Sequence, residues 1–117
     1  MRTKYGNRKV KRDGMVFDSV REYNRYRELK LLEKAGGISN LQTQVKYVLI
    51  PKQYSSTEFT KAKKPKVLER EAAYIADFVY QENGKVVVED AKGMKTELYK
   101  LKKKLMLHVH GIQIKEV

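Results

Sequence analysis

Residues 74–93 have the sequence YIADFVYQENGKVVVEDAKG, and this stretch decides the fold. Its two halves, 74–80 and 85–91, are rich in the β-branched and aromatic residues that favour strands. Asn83-Gly84 lies between them and is the strongest short-range signal for a β-hairpin. Both faces of the predicted strands are apolar, with Ile75, Val79, Val86 and Val88 on one and Ala76, Phe78, Val87 and Ala91 on the other. We therefore expect a strand pair inside a sheet, covered on both sides.

The turn also predicts which residues face each other across the hairpin. With Asn83-Gly84 as a two-residue type I′ turn, the pairs are Glu82–Lys85, Tyr80–Val87, Phe78–Glu89 and Asp77–Asp90. Because side chains alternate between the faces of a strand, Lys92 lies on the Asp90 face and Glu89 points the other way. The set that faces one way is then Asp77, Asp90 and Lys92. A slip of one residue in the register would select Glu89 in place of Asp90.

If Asp77 and Asp90 face each other, their negative charges repel. Directly opposed residues have Cβ atoms about 4.5–5.5 Å apart, and like charges at that distance are destabilising. A divalent cation that bridges the two carboxylates would remove the conflict. The alternative is a sheet edge with solvated charges, or an Asp90 that pairs only with Lys92. The apolar surroundings favour a functional cluster over this alternative.

The composition narrows the class of protein. A chain of 117 residues fits one domain, and its lack of cysteine excludes disulfides and thiolate metal sites. No apolar run approaches the roughly 20 residues of a membrane span, and no signal-peptide core follows the basic N-terminus. We expect a cytoplasmic protein without a membrane partner. The formal charge of +12, from 26 Lys and Arg against 14 Asp and Glu, favours nucleic acid as the partner over an acidic membrane surface.

Further elements are predicted on both sides of the hairpin. Before it come a basic arm within residues 1–13 followed by a small hairpin at Asp13-Gly14, a helix from Asp18 or Ser19 to Gly36-Gly37, a strand over 42–50 and a long basic loop over 51–70. After it come a helix over 95–108, with Leu98, Leu101, Leu105 and Val109 as its apolar face, and a strand over 112–117. This order predicts an α/β sandwich in which two helices flank a mixed sheet.

Glu22 has two interpretations. It shares a stripe of the first helix with Tyr26 and Leu29, which is the face that should be buried. Ser19-Val20-Arg21-Glu22 is also a capping-box pattern, in which the carboxylate returns to the Ser19 amide. Taken alone, Glu22 is better explained as a cap. The acidic pair of the hairpin makes it a candidate third metal ligand.

Basic residues expected to contact nucleic acid are spread over the arm, the first helix, the loop and the second helix. They are Arg8, Lys9, Lys11, Arg12, Arg25, Lys61, Lys63, Lys64, Lys100, Lys102 and Lys103. In the loop, Tyr54 and Phe59 are interleaved with the lysines, which suits a groove or strand of nucleic acid. The alternative for the loop is a solvated insertion without a binding role.

Taken together, the helical Glu22, Asp77-Phe78 and Asp90-Ala91-Lys92 after a hairpin resemble the PD-(D/E)XK nuclease superfamily. The resemblance covers most of the chain and is to small phage-encoded endonucleases and Holliday-junction resolvases. Residues 17–19 (FDS), 74–78 (YIADF) and 89–93 (EDAKG) look like successive signatures of one phage family in that group. Ala76 stands where the superfamily's name has proline, a common replacement that removes no ligand.

The resemblance implies a restriction-endonuclease-like α/β sandwich over residues 1–117 and a metal-dependent DNA endonuclease. Asp77 and Asp90 would bind Mg²⁺ or Mn²⁺, with Glu22 as a further direct or water-mediated ligand (Glu89 is the alternative to Asp90), and Lys92 would orient or help deprotonate the attacking water. We expect a homodimer that resolves branched phage DNA during recombination, in the cytoplasm of the host cell. The alternatives are a nicking or restriction-like nuclease and a non-catalytic basic nucleic-acid-binding protein. The acid-x-Lys spacing disfavours the last of these.

Overall fold

The chain forms a mixed α/β structure, which confirms the predicted fold class at that level. The computed structural model describes residues 9–117. The elements in chain order are β1 (Val10–Arg12), β2 (Met15–Phe17), α1 (Val20–Lys34), β3 (Ser39–Ile50), β4 (Gln53–Phe59), β5 (Pro65–Glu69), β6 (Ala72–Glu82), β7 (Lys85–Asp90), α2 (Glu97–His110) and β8 (Lys115–Glu116). None of these helices is long and apolar enough to cross a membrane.

The central sheet has four strands in the order β3-β6-β7-β8. β3, β6 and β7 pair antiparallel and β7 pairs parallel with β8, so the sheet is mixed, as predicted. The hairpin register is also as predicted, with the pairs Glu82–Lys85, Tyr80–Val87 and Phe78–Glu89. Asn83 and Gly84 have φ angles of 52° and 75°, as a type I′ turn requires. The ladder ends at Phe78–Glu89, and Asp77 and Asp90 are the next residues along the two strands.

The two helices cover the sheet through separate core clusters. Leu29 of α1 packs with Phe78 and Tyr80, and Met106 of α2 packs in a cluster that contains Val79 and Val88. Neighbouring residues of β6 therefore contact different helices, as the alternation of a strand demands. The cover is incomplete, however. Ile75 and Val86, which we expected to be covered, are 49% and 60% exposed.

The first helix begins and ends where its capping signals predict. Ser19 is the N-cap, and its hydroxyl accepts a hydrogen bond from the Glu22 amide at 3.1 Å. Gly36, one residue beyond the C-cap Ala35, has a φ of 83° and so adopts the left-handed conformation that commonly ends a helix.

The predicted apolar face of α2 is wrong for three of its four residues, and only Leu105 packs against the core. Leu98, Leu101 and Val109 are 61%, 53% and 46% exposed, whereas Tyr99 and Met106 are buried. Tyr99 and Met106 are seven residues apart and thus share a face of the helix. The Tyr99 hydroxyl donates a hydrogen bond to Glu116 of β8 at 2.8 Å. This bond and the packing of Met106 set the rotation of α2, and neither appears in the leucine spacing.

The predicted loop over 51–70 is also wrong, because most of it forms the β4–β5 hairpin. These strands pair with each other in a two-stranded sheet of their own, and all their residues except Ser55 are exposed. The turn carries Lys61, Lys63 and Lys64, with Lys63 at a φ of 62°. We call the segment 53–69 the basic hairpin. Its many lysines hid a strand pattern of aromatic and β-branched residues.

The predicted small hairpin at Asp13-Gly14 is confirmed. β1 pairs antiparallel with β2, and Asp13 and Gly14 have φ angles of 53° and 74°. The rest of the basic arm, including Arg8, lies outside the described residues.

The rotation of α2 predicts different costs for two substitutions in the same helix. Met106→Ala removes a fully buried side chain and should lower the free energy of unfolding by about 2–5 kcal/mol. Leu101→Ala changes a side chain that is 53% exposed and should alter it by less than about 0.5 kcal/mol. Urea unfolding followed by circular dichroism measures both values. Equal losses would show that the two residues are equally buried, contrary to the structure.

Candidate active site

Three acidic residues from different elements come together where β7 ends beside the middle of β6. Glu22 is in the first turn of α1, Asp77 is in β6 and Asp90 is the last residue of β7. Their exposed fractions are only 3%, 8% and 1%. Their charges act on one another, because Asp90 and Glu22 both raise the pKa of Asp77. The structure thus brings together the three acids that the sequence predicted.

Each aspartate has one oxygen held by a donor of the protein. The Ala91 amide donates to Asp77 Oδ2 at 2.8 Å, and the Tyr74 hydroxyl donates to Asp90 Oδ2. Burial raises the pKa of Tyr74, and its hydrogen bond to Asp90 raises it further, so this hydroxyl stays protonated and remains a donor. The carboxylates are therefore oriented before any ligand arrives.

The second oxygen of Asp90 has no such partner. Asp90 Oδ1 is buried and accepts no hydrogen bond from the described residues. Lys92 Nζ lies 3.4 Å away, close enough for an ion pair but without hydrogen-bond geometry. The same ammonium is 5.2 Å from the centre of the Tyr99 ring, so α2 helps to place it. A buried carboxylate oxygen without a donor is the kind of atom that a cation satisfies.

Glu22 is held at both oxygens. Its Oε2 accepts from the Asp18 amide at 3.3 Å and its Oε1 accepts from Gln44 Nε2 at 3.1 Å. The capping-box interpretation is therefore half right. Ser19 caps the helix as predicted, but the returning carboxylate binds the Asp18 amide and not that of Ser19.

Two of the acids, Asp77 and Glu22, have a pKa raised to near neutrality. Burial raises the pKa of Asp77 to about 7, and the charges of Asp90 and Glu22 add to the rise. Burial likewise raises the pKa of Glu22 to about 7, with the charges of Asp18 and Asp90 contributing. The nearby Lys92 opposes both shifts but does not cancel them. Such shifted carboxylates in one cluster are typical of functional sites.

The donor set suits a hard divalent cation. It consists of carboxylate oxygens, which Mg²⁺ prefers, and one of them is the orphaned Asp90 Oδ1. Within residues 9–117, no three histidine, cysteine, aspartate or glutamate side chains form a ready-made group that could hold a metal ion. Both oxygens of Glu22 are bonded to donors of the protein, which fits a role for this residue through water.

Glu89, the alternative to Asp90, lies in a different environment. It is fully buried and accepts hydrogen bonds from Arg25 Nε at 2.8 Å, Arg25 Nη2 at 2.7 Å and the Tyr80 hydroxyl. Burial by itself would raise the pKa of Glu89, but the bonds from Arg25 and Tyr80 outweigh it and lower the pKa. Glu89 therefore ties α1 to the sheet.

Arg25 is a correction to the predicted nucleic-acid contacts. Besides Glu89, it binds Glu28 at 2.9 Å, so its guanidinium is already paired. It holds the helix in place and is not a free cation for phosphate.

The other predicted basic residues fall into two groups. The first group is exposed. It contains Lys9, which precedes the N-terminal hairpin, Lys11 and Arg12 in that hairpin, and Lys61, Lys63 and Lys64 at the turn of the basic hairpin. On α2, Lys100 pairs with Glu97 at 3.2 Å and Lys103 pairs with Glu116 at 3.2 Å, while Lys102 is half-buried. The first group is the better placed to meet a polyanion.

Sequence reasoning missed several residues near the acids. Arg21 lines a cleft of about 520 Å³ with Asn24 and Val117, and its position next to Glu22 was a usable signal. Tyr74 is three residues before Asp77, a spacing that strand alternation does not place on one face, so the sequence contains no signal for it. For Gln44 the sequence holds no comparable signal.

Comparison with known proteins places the chain in one family. A family model described as "Protein of unknown function (DUF1064)" matches residues 2–116. No curated protein and no solved structure matches the chain.

The raised pKa of Asp77 predicts how stability depends on pH. Because its pKa is 3.8 ordinarily and about 7 in the folded protein, the folded state holds the extra proton between these values. Stability should therefore fall as pH rises from about 4 to 7. Asp77→Asn removes this penalty and should be more stable than the wild type at pH 8 by roughly 1–3 kcal/mol. Urea unfolding in EDTA from pH 4 to 8 measures the effect.

A matched control is Glu97→Gln. The Glu97 side chain is 91% exposed and pairs with Lys100, so it takes no part in the acidic cluster. It should leave the pH dependence unchanged. An Asp77→Asn variant that is less stable than the wild type at pH 8 would contradict the assignment of a strained acidic cluster.

Proposed function

The chain belongs to the DUF1064 family, and we propose that it is a divalent-metal-dependent DNA endonuclease with a restriction-endonuclease-like fold of the PD-(D/E)XK type. The observation that carries this proposal is the buried cluster of Glu22, Asp77 and Asp90, with Lys92 Nζ 3.4 Å from the orphaned Asp90 Oδ1. The three acids and the lysine resemble the sequence motif that the superfamily uses for phosphodiester hydrolysis, and this resemblance supports the proposal.

The cluster argues for chemistry rather than for binding alone. Buried like charges lower stability, and a protein of net charge +12 that only bound nucleic acid would gain nothing from them. The acids repel the same polyanion that the rest of the surface attracts. They become useful once a cation neutralises them, which supports a catalytic role over that of a basic scaffold protein.

Asp77 and Asp90 would hold Mg²⁺ or Mn²⁺, with Glu22 as a further ligand through water or directly. When bound, the ion polarises the scissile phosphate and offsets the negative charge that develops on it. The Ala91 amide and the Tyr74 hydroxyl keep the two aspartates oriented for this purpose.

Lys92 is the residue suited to handle the attacking water. Its side chain is 35% exposed and its ammonium lies 3.4 Å from Asp90 Oδ1, so the residue contacts both the acid and solvent. There it holds the water by a hydrogen bond and eases loss of its proton. The water oxygen attacks phosphorus, and the bond between phosphorus and the 3′ oxygen breaks. The products are a 5′-phosphate and a 3′-hydroxyl.

The substrate proposal rests on charge and shape outside the acidic cluster. The basic hairpin exposes Tyr54 and Phe59 on its strands and three lysines at its turn. Lysines of this kind contact phosphates and position a duplex without selecting its sequence. Arg21 precedes Glu22 in α1 and lines a cleft with Asn24 and Val117, where it adds an exposed cation.

We also propose that two copies of the chain act together on branched DNA, during DNA processing in a phage-infected cell. Leu98, Leu101 and Val109 leave an apolar stripe of α2 exposed, which a second copy would cover. Two sites related by a two-fold axis would supply the paired cuts that a four-way junction needs.

Replacing catalytic residues tests the proposal directly. Asp77→Asn should reduce Mg²⁺-dependent cleavage by at least about 10³-fold, because a ligand of the ion is lost. Lys92→Ala should reduce it by about 10²–10⁴-fold, because the water loses its acid-base partner. Both variants should bind DNA nearly as the wild type does. Single-turnover cleavage of labelled linear, flap and four-way-junction DNA measures the rates, and Glu97→Gln is the control.

Two outcomes decide between the alternatives. Symmetric cuts in the junction alone support a resolvase, whereas equal cutting of linear duplex indicates a nuclease with another target. Cleavage that survives Asp77→Asn would contradict the assigned site, and binding without any metal-dependent cleavage by the wild type would favour a non-catalytic protein.

A second prediction concerns the basic hairpin. Replacing Lys61, Lys63 and Lys64 by alanine should weaken DNA binding and lower the slope of log affinity against log salt by about 0.9 for each phosphate that the protein no longer neutralises. The cleavage rate at saturating protein should stay the same, because the acids are untouched. A matched triple replacement of Lys30, Lys34 and Lys85 is the control. An equal loss of affinity in both variants would mean that only net charge matters.

A further inference from the structure

Gln44 adopts a strained backbone conformation inside β3, with a φ of 54°. The other non-glycine residues with positive φ are Asp13, Asn40, Lys63 and Asn83 among the described residues. Three of these are Asp or Asn, which tolerate this conformation, and Asp13, Lys63 and Asn83 lie in turns. Gln44 is neither Asp nor Asn, and it lies within a paired strand and not in a turn. The conformation is costly unless the surroundings enforce it.

No inserted residue explains this conformation. On either side of Gln44, the pairs Thr43–Phe78 and Val45–Ala76 keep the same register between β3 and β6. A β-bulge would set two residues against one and shift the register there. Counting between these two pairs puts Gln44 opposite Asp77, one for one. The strained residue of β3 thus lies across from an acid of the candidate site.

The strained backbone places a side-chain amide on Glu22. Gln44 Nε2 donates to Glu22 Oε1 at 3.1 Å, and this bond joins β3 to the first turn of α1. Gln44 itself is exposed, so burial does not force the contact. A neutral amide orients the carboxylate but leaves its charge intact, unlike a lysine or an arginine. That property suits a carboxylate that must keep its affinity for a cation.

We propose that Gln44 is a positioning residue of the metal site, whose strained backbone is retained because its amide orients Glu22. This inference rests on the proposed function, since it assigns Glu22 to a cation. It predicts that the effect of the Gln44 side chain on metal binding can be separated from the effect of its backbone conformation on stability. The amide serves metal binding, and the left-handed conformation costs stability.

Two substitutions of Gln44 distinguish the effect of the amide from that of the strained backbone. Gln44→Gly removes the amide and also the strain, because glycine adopts positive φ freely. It should raise the Tm while weakening Mn²⁺ binding by about 10–100-fold, the range typical of residues that orient metal ligands. Gln44→Ala removes the amide but keeps the strain, so it should weaken Mn²⁺ binding equally without the gain in Tm. Thermal unfolding in EDTA and titration calorimetry with Mn²⁺ measure the two properties.

Asn40→Gly is the matched control. Asn40 also lies in β3, with a φ of 54°, and makes no hydrogen bond to the acids through its side chain. Its replacement should leave Mn²⁺ binding unchanged and should not lower the Tm. The Mg²⁺ concentration that gives half-maximal cleavage should rise for both Gln44 variants and stay constant for Asn40→Gly.

The outcomes distinguish this inference from the proposed function. Wild-type Mn²⁺ affinity in Gln44→Gly, or a Tm below that of the wild type, would overturn the role of Gln44. If the wild type binds Mn²⁺ but cuts no DNA, the nuclease proposal fails while the change in Kd still decides the role of Gln44. If the wild type binds no Mn²⁺, the role of Gln44 is overturned as well.

Discussion

A buried ion pair between the first helix and the central hairpin is the constraint on which the site depends. Arg25 donates hydrogen bonds of 2.8 and 2.7 Å to Glu89, and Tyr80 supplies a third donor to the same carboxylate. Because Glu22 is three residues before Arg25 on the same side of α1, the pair that docks the helix also brings Glu22 to Asp77. Removing one partner of a buried pair costs about 3–5 kcal/mol, far more than a typical surface contact.

The neighbouring acids Glu89 and Asp90 show how environment assigns roles. Strand alternation sends them to opposite faces of the sheet. Glu89 meets a guanidinium and a phenol that satisfy both of its oxygens. Asp90 meets one phenol and an ammonium 3.4 Å away, which leaves Oδ1 without a hydrogen bond from the described residues. The first acid stabilises the fold, and the second keeps a carboxylate oxygen that would hold a cation under the proposed function.

The predictable parts of this protein are those that local sequence determines. Asn83-Gly84 specifies a turn, the turn specifies a register, and the register alone separates Asp90 from Glu89. Features that depend on tertiary contacts could not be predicted from the sequence in this way. The rotation of α2 follows from the bond between Tyr99 and Glu116, and leucine spacing gave the wrong face. Neither the composition nor the periodicity of the sequence predicts the positive φ angle of Gln44. The basic hairpin was missed because its lysines outweighed its strand pattern.

The basic hairpin has a consequence for how such a protein can change over time. Its strands pair only with each other, so the central sheet and its acids do not rely on it for packing. Insertions, deletions and changes of charge in this segment therefore carry little thermodynamic penalty for the core. Under the proposed function, changes in this segment would alter how DNA is held and would leave the acidic cluster intact. The part of the chain that meets the substrate would then vary independently of the part that holds the acids.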